Sequence, residues 1–297
     1  MRKSLAALMA AMVAASGLVL APASPAAAAG PRRSDSLNEP IYWVHGIQIA
    51  PNGHPKADCV QWHPAINAFR SGGATGKQHT VAYYKKDVRC NTRVASYENG
   101  AGIKELGRKM AWDIYNKYSS KGKSVDVVAH SMGGLVIRAA ITGVQKKTKS
   151  WPPYLYVEDV VTFSTPHTGT NWARGYNTQQ AKDMRPGSSF LKWLNKNPQS
   201  KQGTDWTLIG SEDDKVVPWK SAVSTSGSAA GYLAAGHKVV FHKGQGLGHS
   251  DIYKKATNKY KSRYWNKRAE KSGWITQPRG ESPVVVARNA AYSWRLW

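Results

Sequence analysis

Acidic residues are scarce in this chain. Its 297 residues hold 18 Asp and Glu against 42 Lys and Arg, a net charge of +24. The acids are scattered, with no loop signature for a calcium site. Cysteine is scarcer still. There are two, Cys59 and Cys90, and neither stands in a CxxC motif or a Cys/His cluster. That argues against redox and zinc chemistry. Beyond the N-terminus no segment approaches the ~18 consecutive apolar residues that a membrane-spanning helix requires. No internal repeat is visible.

What is present begins with an export signature. Arg2 and Lys3 form a basic start, an apolar stretch runs from about Leu5 to Leu20, and small residues follow at Ala27-Ala28-Ala29. This reads as a secretory signal over residues 1–29, cleaved near Ala29–Gly30. Gly17, Pro22 and Pro25 argue against a continuous spanning helix. The protein is therefore expected outside the cell, where an even pair of cysteines reads as one disulfide, Cys59–Cys90. Without the signal, 40 basic residues face 18 acidic ones, a net +22. Such a field suits anionic envelope polymers or acidic lipid surfaces, and its plainer role is solubility. No specific nucleic-acid partner is expected, and the chain is expected to be a monomer.

The remaining residues form one domain's worth of core. Short apolar runs at Ile41–Val44, Thr80–Tyr84, Val125–Ala129, Val157–Phe163, Trp206–Ile209 and Lys238–His242 read as buried strands. A short helix fits about 62–70. Ile103, Leu106, Met110 and Ile114 recur at helical spacing, predicting a helix over about 96–118. Gly100, Gly102 and Gly107 weaken it intrinsically, and tight packing on a sheet would explain them. Met132–Val144 is the next helix. Alternating strands and helices predict an α/β fold with a mostly parallel sheet covered on both faces. The catalytic domain is expected over 30–256. Residues 167–203 interrupt the rhythm as an insertion, and 257–297 form a basic extension expected to pack on the same domain and rich in aromatics, including Tyr260, Tyr264, Trp265, Trp274, Trp294 and Trp297.

The chemistry centres on Ala129-His130-Ser131-Met132-Gly133-Gly134, which leaves an apolar strand and enters a helix. A sharp strand-to-helix turn exposes a serine hydroxyl, and small flanking residues allow the close backbone contacts it needs. A serine nucleophile needs a base, and the base an orienting acid, in the chain order Ser, Asp or Glu, His. His249 follows the last predicted strand, whereas His242 falls within it. Of Glu212, Asp213 and Asp214, all after the fifth predicted strand, Asp214 is the first choice and Asp213 the second. The oxyanion needs donors, for which the backbone N–H groups of Ile47 and Met132 are the candidates. Gly46 lets the Ile47 loop bend close to the substrate. No metal or cofactor is required.

These residues resemble secreted bacterial lipases and esterases of the α/β-hydrolase fold. Val44-His45-Gly46-Ile47 looks like their oxyanion loop, and the Ala-for-Gly elbow is similar to that of their minimal lipases. Thr165–Thr170 resembles the loop after the following strand, and Asp214–Val217 and Gly248-His249 the acid and base motifs. The resemblance spans about residues 40–255. It implies a serine ester hydrolase, foremost a lipase, with phospholipase or polyester and aryl esterase activity as alternatives. The insertion, the basic tail and the charge depart from the minimal lipases. Within the insertion, Phe190, Leu191 and Leu194 line one helical face, which could cover the site as a lid or pack on the core. A reading of another class is a polyanion-binding module with an idle site, prompted by the basic aromatic tail.

Overall fold

The computed structural model describes residues 30–50, 54–98, 100–266 and 273–292. The expected signal segment, with Trp294 and Trp297, lies outside the described residues. Among the described residues nine strands form one sheet: β1 (Ile41–Val44), β2 (Gln78–Tyr84), β3 (Thr92–Tyr97), β4 (Val125–His130), β5 (Val157–Phe163), β6 (Asp205–Ser211), β7 (His237–Phe241), β8 (Tyr260–Asn266) and β9 (Ile275–Gly280). Their order is β3-β2-β1-β4-β5-β6-β7-β8-β9. The sheet is parallel from β3 through β7; β8 pairs antiparallel with β7, and β9 antiparallel with β8. Seven α-helices among the described residues accompany it: α1 (His63–Ser71), α2 (Ile103–Lys117), α3 (Met132–Gln145), α4 (Gln179–Met184), α5 (Ser189–Trp193), α6 (Trp219–Ala222) and α7 (Pro283–Tyr292).

The short apolar runs are strands because both faces are covered. In β1, Tyr42 and Val44 enter the core layer shared with α2 and α3, while Ile41 and Trp43 enter the layer shared with α1 and α7. Alternation thus feeds two cores, and all four residues are buried. This is the α/β-hydrolase architecture in a single domain.

The differences from expectation have physical causes. The helix expected from about 96 begins at Ile103, because residues 92–97 form edge strand β3, whose half-exposed side chains carry no apolar run. Gly107 is tight against α3 rather than the sheet. A Cβ there would lie 2.6 Å from the Ala139 Cβ and 2.9 Å from the Ala140 nitrogen. Strand β7 ends at Phe241, so His242 stands just beyond it rather than within it. The described residues after 257 are part of the same sheet and core. Strands β8 and β9 extend the sheet, and Val284, Ala287 and Ala291 of α7 fill the second core. Basic and aromatic side chains there also stack on the body. The Arg263 guanidinium lies 4.6 Å from the Trp219 ring, and Lys238 Nζ 5.1 Å from Trp265.

Strands β2 and β3 are parallel neighbours joined by residues 85–91 alone, with no crossover helix. Local ties hold this connection. Cys90 is disulfide-bonded to Cys59, 31 residues away, Arg89 pairs with Asp58, and Val88 N–H donates to the Ala57 carbonyl. By the chain-entropy relation, replacing both cysteines with serine is expected to destabilise the chain by about 3–4 kcal/mol. Denaturant melts under oxidising conditions measure this.

Carboxyl groups crowd the opposite end of the strands from Ser131. Glu39 precedes β1, Asp126 lies near the start of β4, and Glu158 and Asp159 near the start of β5. Burial first, then its charge contact and hydrogen bond with Glu39, pushes Glu158 up to about 8. Burial pushes Glu39 up to about 7. The folded chain therefore retains protons that the unfolded chain releases near 4.5, the ordinary glutamate value. The pair's contribution to stability is full below that value and is lost as pH rises through about 7 to 8. The thermal midpoint is expected to fall between about pH 5 and about pH 8.5, and less steeply in Glu158→Gln. Equal slopes in the two proteins would remove Glu158 as the cause.

Candidate active site

The elbow is built at the junction of β4 and α3. Ser131 has φ 54° and ψ −129°, a backbone conformation rare for a residue with a side chain. Such strain costs about 1–3 kcal/mol and persists only where the surroundings impose it. Here Ser131 N–H donates to the Phe163 carbonyl at 2.9 Å, and its own carbonyl accepts from Thr165 Oγ1 at 2.9 Å and Gly134 N–H at 3.1 Å. The glycine that follows is forced by contact. A Cβ on Gly133 would sit 2.3 Å from the Val44 carbonyl oxygen.

Ser131, His249 and Asp214 meet at the carboxyl ends of the strands, where open α/β sheets build their sites. His249 Nε2 lies 3.0 Å from Ser131 Oγ, and its Nδ1 lies 2.8 Å from Asp214 Oδ2. A carboxylate only accepts, so Nδ1 carries the proton and Nε2 turns its lone pair to the serine hydroxyl. The second oxygen of Asp214 accepts from the N–H groups of Val216 and Val217 at 2.8 and 2.9 Å. Its side chain is fully buried, and that of His249 is 15% exposed.

The neighbouring acids point elsewhere. Asp213 accepts from the N–H groups of Gly244, Gln245 and Leu247, clamping the loop that delivers His249. Burial raises its carboxyl, but these backbone hydrogen bonds outweigh that and hold it below the usual range. Glu212 accepts from Arg263 Nη2 at 2.6 Å and Lys243 N–H at 3.0 Å. His242, the rival base, directs Nδ1 towards Glu212 at 3.7 Å.

His130 has a role that no motif reveals. Its Nε2 lies 2.8 Å from the His249 carbonyl oxygen, which requires the proton on Nε2. Burial, and then the charge of His249, holds its imidazole well below the ordinary histidine value, so it stays neutral. The Tyr253 ring lies against it at 4.2 Å, and Tyr253 donates to Gln61 Oε1 at 2.8 Å. The base is thus fixed through both its side chain and its backbone.

The His45-Gly46 loop is fastened from below. The Gly46 carbonyl accepts from Tyr83 OH at 3.0 Å and faces His45 Nδ1 at 2.8 Å. Tyr83 OH also reaches the His45 carbonyl. His45 Nε2 lies 3.2 Å from Asp87 Oδ2. Burial pushes Asp87 up, yet its bonds to His45 and to the backbone of Ala57 and Tyr84 hold it below the usual carboxylate range. Across a trans peptide the C=O and N–H point opposite ways. Fixing the Gly46 carbonyl inward therefore turns the Ile47 N–H away from these partners, and Ile47 lines the cavity beside Ser131. A Cβ on Gly46 would come within 2.8 Å of the Ser131 Cβ, so the loop lies directly on the elbow. Met132 opens α3, where first-turn N–H groups lack a helical acceptor.

The cavity has a volume of about 330 Å³. Ile47, Trp172, Met184, Val216 and Val217 give it apolar walls, while Gln48, Gln61, Ser250 and Lys254 give it polar ones. The insertion contributes Thr170, Trp172 and Met184. Its other apolar face is already occupied: Phe190, Leu191 and Leu194 are buried in the core with α2 and α3. Among the described residues no group of three or more metal-ligating side chains is placed to hold an ion.

A parallel sheet with an elbow serine, and a histidine and aspartate on the loops after later strands, defines a serine hydrolase of the α/β-hydrolase class. The chain belongs to the family described as "Putative serine esterase (DUF676)", which matches residues 66–218 and so includes Ser131 and Asp214. No curated protein matches the chain. Among solved structures, it is similar to Bacillus licheniformis lipase BlEst2 in propeptide form, at 19% identity over 76% of this chain and 50% of that one, TM-score 0.48. This chain thus spans half the length of that structure. The mature form gives 18% identity over 75% and 90%, TM-score 0.46. Aspergillus fumigatus lipase B gives 18% identity over 73% and 49%, TM-score 0.40.

Proposed function

We propose that the protein is an exported lipase that cleaves carboxylic esters of lipids through an acyl-enzyme on Ser131. The observation that carries this is the continuous chain of contacts from Ser131 Oγ through His249 to Asp214, at 3.0 and 2.8 Å. His249 Nε2 takes the hydroxyl proton as Oγ bonds to the ester carbonyl carbon. The oxyanion rests on the N–H groups of Ile47 and Met132. Collapse breaks the bond to the alcohol, which leaves with the proton from His249. Water then attacks the acyl-enzyme, giving its proton to His249, and the acid departs as Ser131 recovers that proton. Asp214 holds the imidazole tautomer and stabilises its positive charge.

The apolar walls support a lipid acyl group over a polar one. So does Ile49 at the cavity mouth, 38% exposed. Export is supported by the signal-like sequence of residues 1–29 and by the Cys59–Cys90 disulfide, a bond of oxidising compartments. An idle polyanion-binding module is disfavoured by the assembled relay and by the basic side chains already stacked on neighbouring rings.

A profile over glycerol esters of rising acyl length tests this reading. The cavity is at the small end of ligand sites, about 300–1,000 Å³. Turnover is expected to peak at short to medium chains. Because Phe190, Leu191 and Leu194 are packed in the core, no jump in rate is expected at the substrate's solubility limit. Absence of hydrolysis at every chain length would defeat the lipase assignment.

A further inference from the structure

The cavity beside Ser131 is lopsided in charge. Its lining holds no Asp, Glu or Arg and a single Lys, Lys254. Among the described residues no carboxylate forms a salt bridge with that lysine, although other lysines, such as Lys85 and Lys117, are so paired. One contact holds its ammonium at the cavity wall. Nζ lies 5.2 Å from the centroid of the Tyr253 ring, the same ring that packs on His130. Its charge also bears on His130, helping to keep that imidazole neutral.

Lys254 stands five residues after His249 in one compact turn, in which Asp251 and Ile252 donate to the Gly248 carbonyl and Lys254 N–H to that of Asp251. His249 hands its proton to the departing alcohol, so the wall built by this turn runs beside the alcohol part of the ester. The apolar wall of Ile47, Trp172, Met184 and Val216 is left for the acyl chain. A lone ammonium in a partly desolvated cleft favours a substrate that brings the opposite charge, and gives no such gain to a neutral alcohol.

Resting on the esterase reading above, we propose that Lys254 is a specificity-determining residue that selects esters whose alcohol part carries an anionic group, such as a phosphate. Neutral and anionic esters of the same acid then differ in kcat/KM through this one side chain.

The test compares 1-butyrylglycerol with 1-butyrylglycerol 3-phosphate, both soluble, in the wild type, Lys254→Gln, Lys254→Glu and Lys254→Arg. The anionic-to-neutral ratio of kcat/KM is expected to fall about fivefold in Lys254→Gln, the scale of one half-exposed charge pair. It should fall further in Lys254→Glu and be kept in Lys254→Arg. An unchanged ratio in Gln and Glu variants overturns the proposal. A second arm uses phosphatidylglycerol vesicles. Loss on both substrates supports selection within the site, whereas loss confined to vesicles assigns Lys254 to surface adsorption and overturns it. Cleavage of 1-butyrylglycerol by the wild type, abolished in Ser131→Ala, reports the esterase reading separately.

Discussion

Replacing Ser131 with alanine leaves a folded protein whose ester turnover falls by roughly 10⁵–10⁶-fold, the scale seen when the nucleophile of such a relay is removed. The fold is expected to persist because the elbow is held by backbone and neighbouring side chains rather than by Oγ. The Phe163 carbonyl, Thr165 Oγ1 and Gly134 N–H all grip the Ser131 backbone. Alanine would inherit the same strained φ of 54°, so little stability should be gained or lost. Circular dichroism and thermal melts beside an initial-rate assay separate a chemical defect from unfolding. Residual turnover above the uncatalysed rate would come from the oxyanion donors and binding alone.

Removing the charge of Asp214 comes next in size. Asp214→Asn is expected to lower kcat about 10⁴-fold, because the amide stabilises the wrong imidazole tautomer. The adjacent acids provide the controls. Glu212→Gln touches Arg263 and Lys243 and is expected to change kcat by less than about tenfold, since it makes no contact with His249. Asp213→Asn removes the charge and turns one of the two oxygens that accept from Gly244, Gln245 and Leu247 into a donor, so it acts indirectly by loosening the loop that carries His249. Its effect is expected between those of the other two. If Asp213→Asn proved the most damaging of the three, the identity of the triad acid would change.

Much of this arrangement is legible in the chain. Strands β1, β4 and β5 stand out because both their faces are buried, so they appear as short runs dominated by apolar residues. Ser131, Asp214 and His249 stand out because the chemistry demands one order and one placement, each just beyond a strand. Strand β3 does not stand out. It is an edge with half-exposed side chains, and it is reached from β2 without the helix that usually marks a parallel crossover. Strands β8 and β9 hide for a related reason. Their Lys, Arg and aromatic side chains resemble a polyanion surface until the sheet stacks them on Trp219, Trp274 and each other.

Within the site, the division of labour among Glu212, Asp213 and Asp214 is not a local property. It depends on residues 243–249 returning to the end of β6, a contact made across about thirty residues of chain. The same holds for His130. Its position in the elbow is visible, but its bond to the His249 carbonyl spans 119 residues. The apolar face of α5 is readable as either lid or core. Burial of Phe190, Leu191 and Leu194 favours core, and periodicity cannot distinguish one buried partner from another.

Catalysis of the kind derived above requires Ser131 to become covalently acylated. Incubating the protein with a fluorophosphonate and mapping the adduct by peptide mass spectrometry tests it most directly. One adduct is expected, on the peptide that contains Ser131, with none in Ser131→Ala and strongly slowed labelling when His249 is replaced by alanine. No adduct, or an adduct on any other serine, would contradict it.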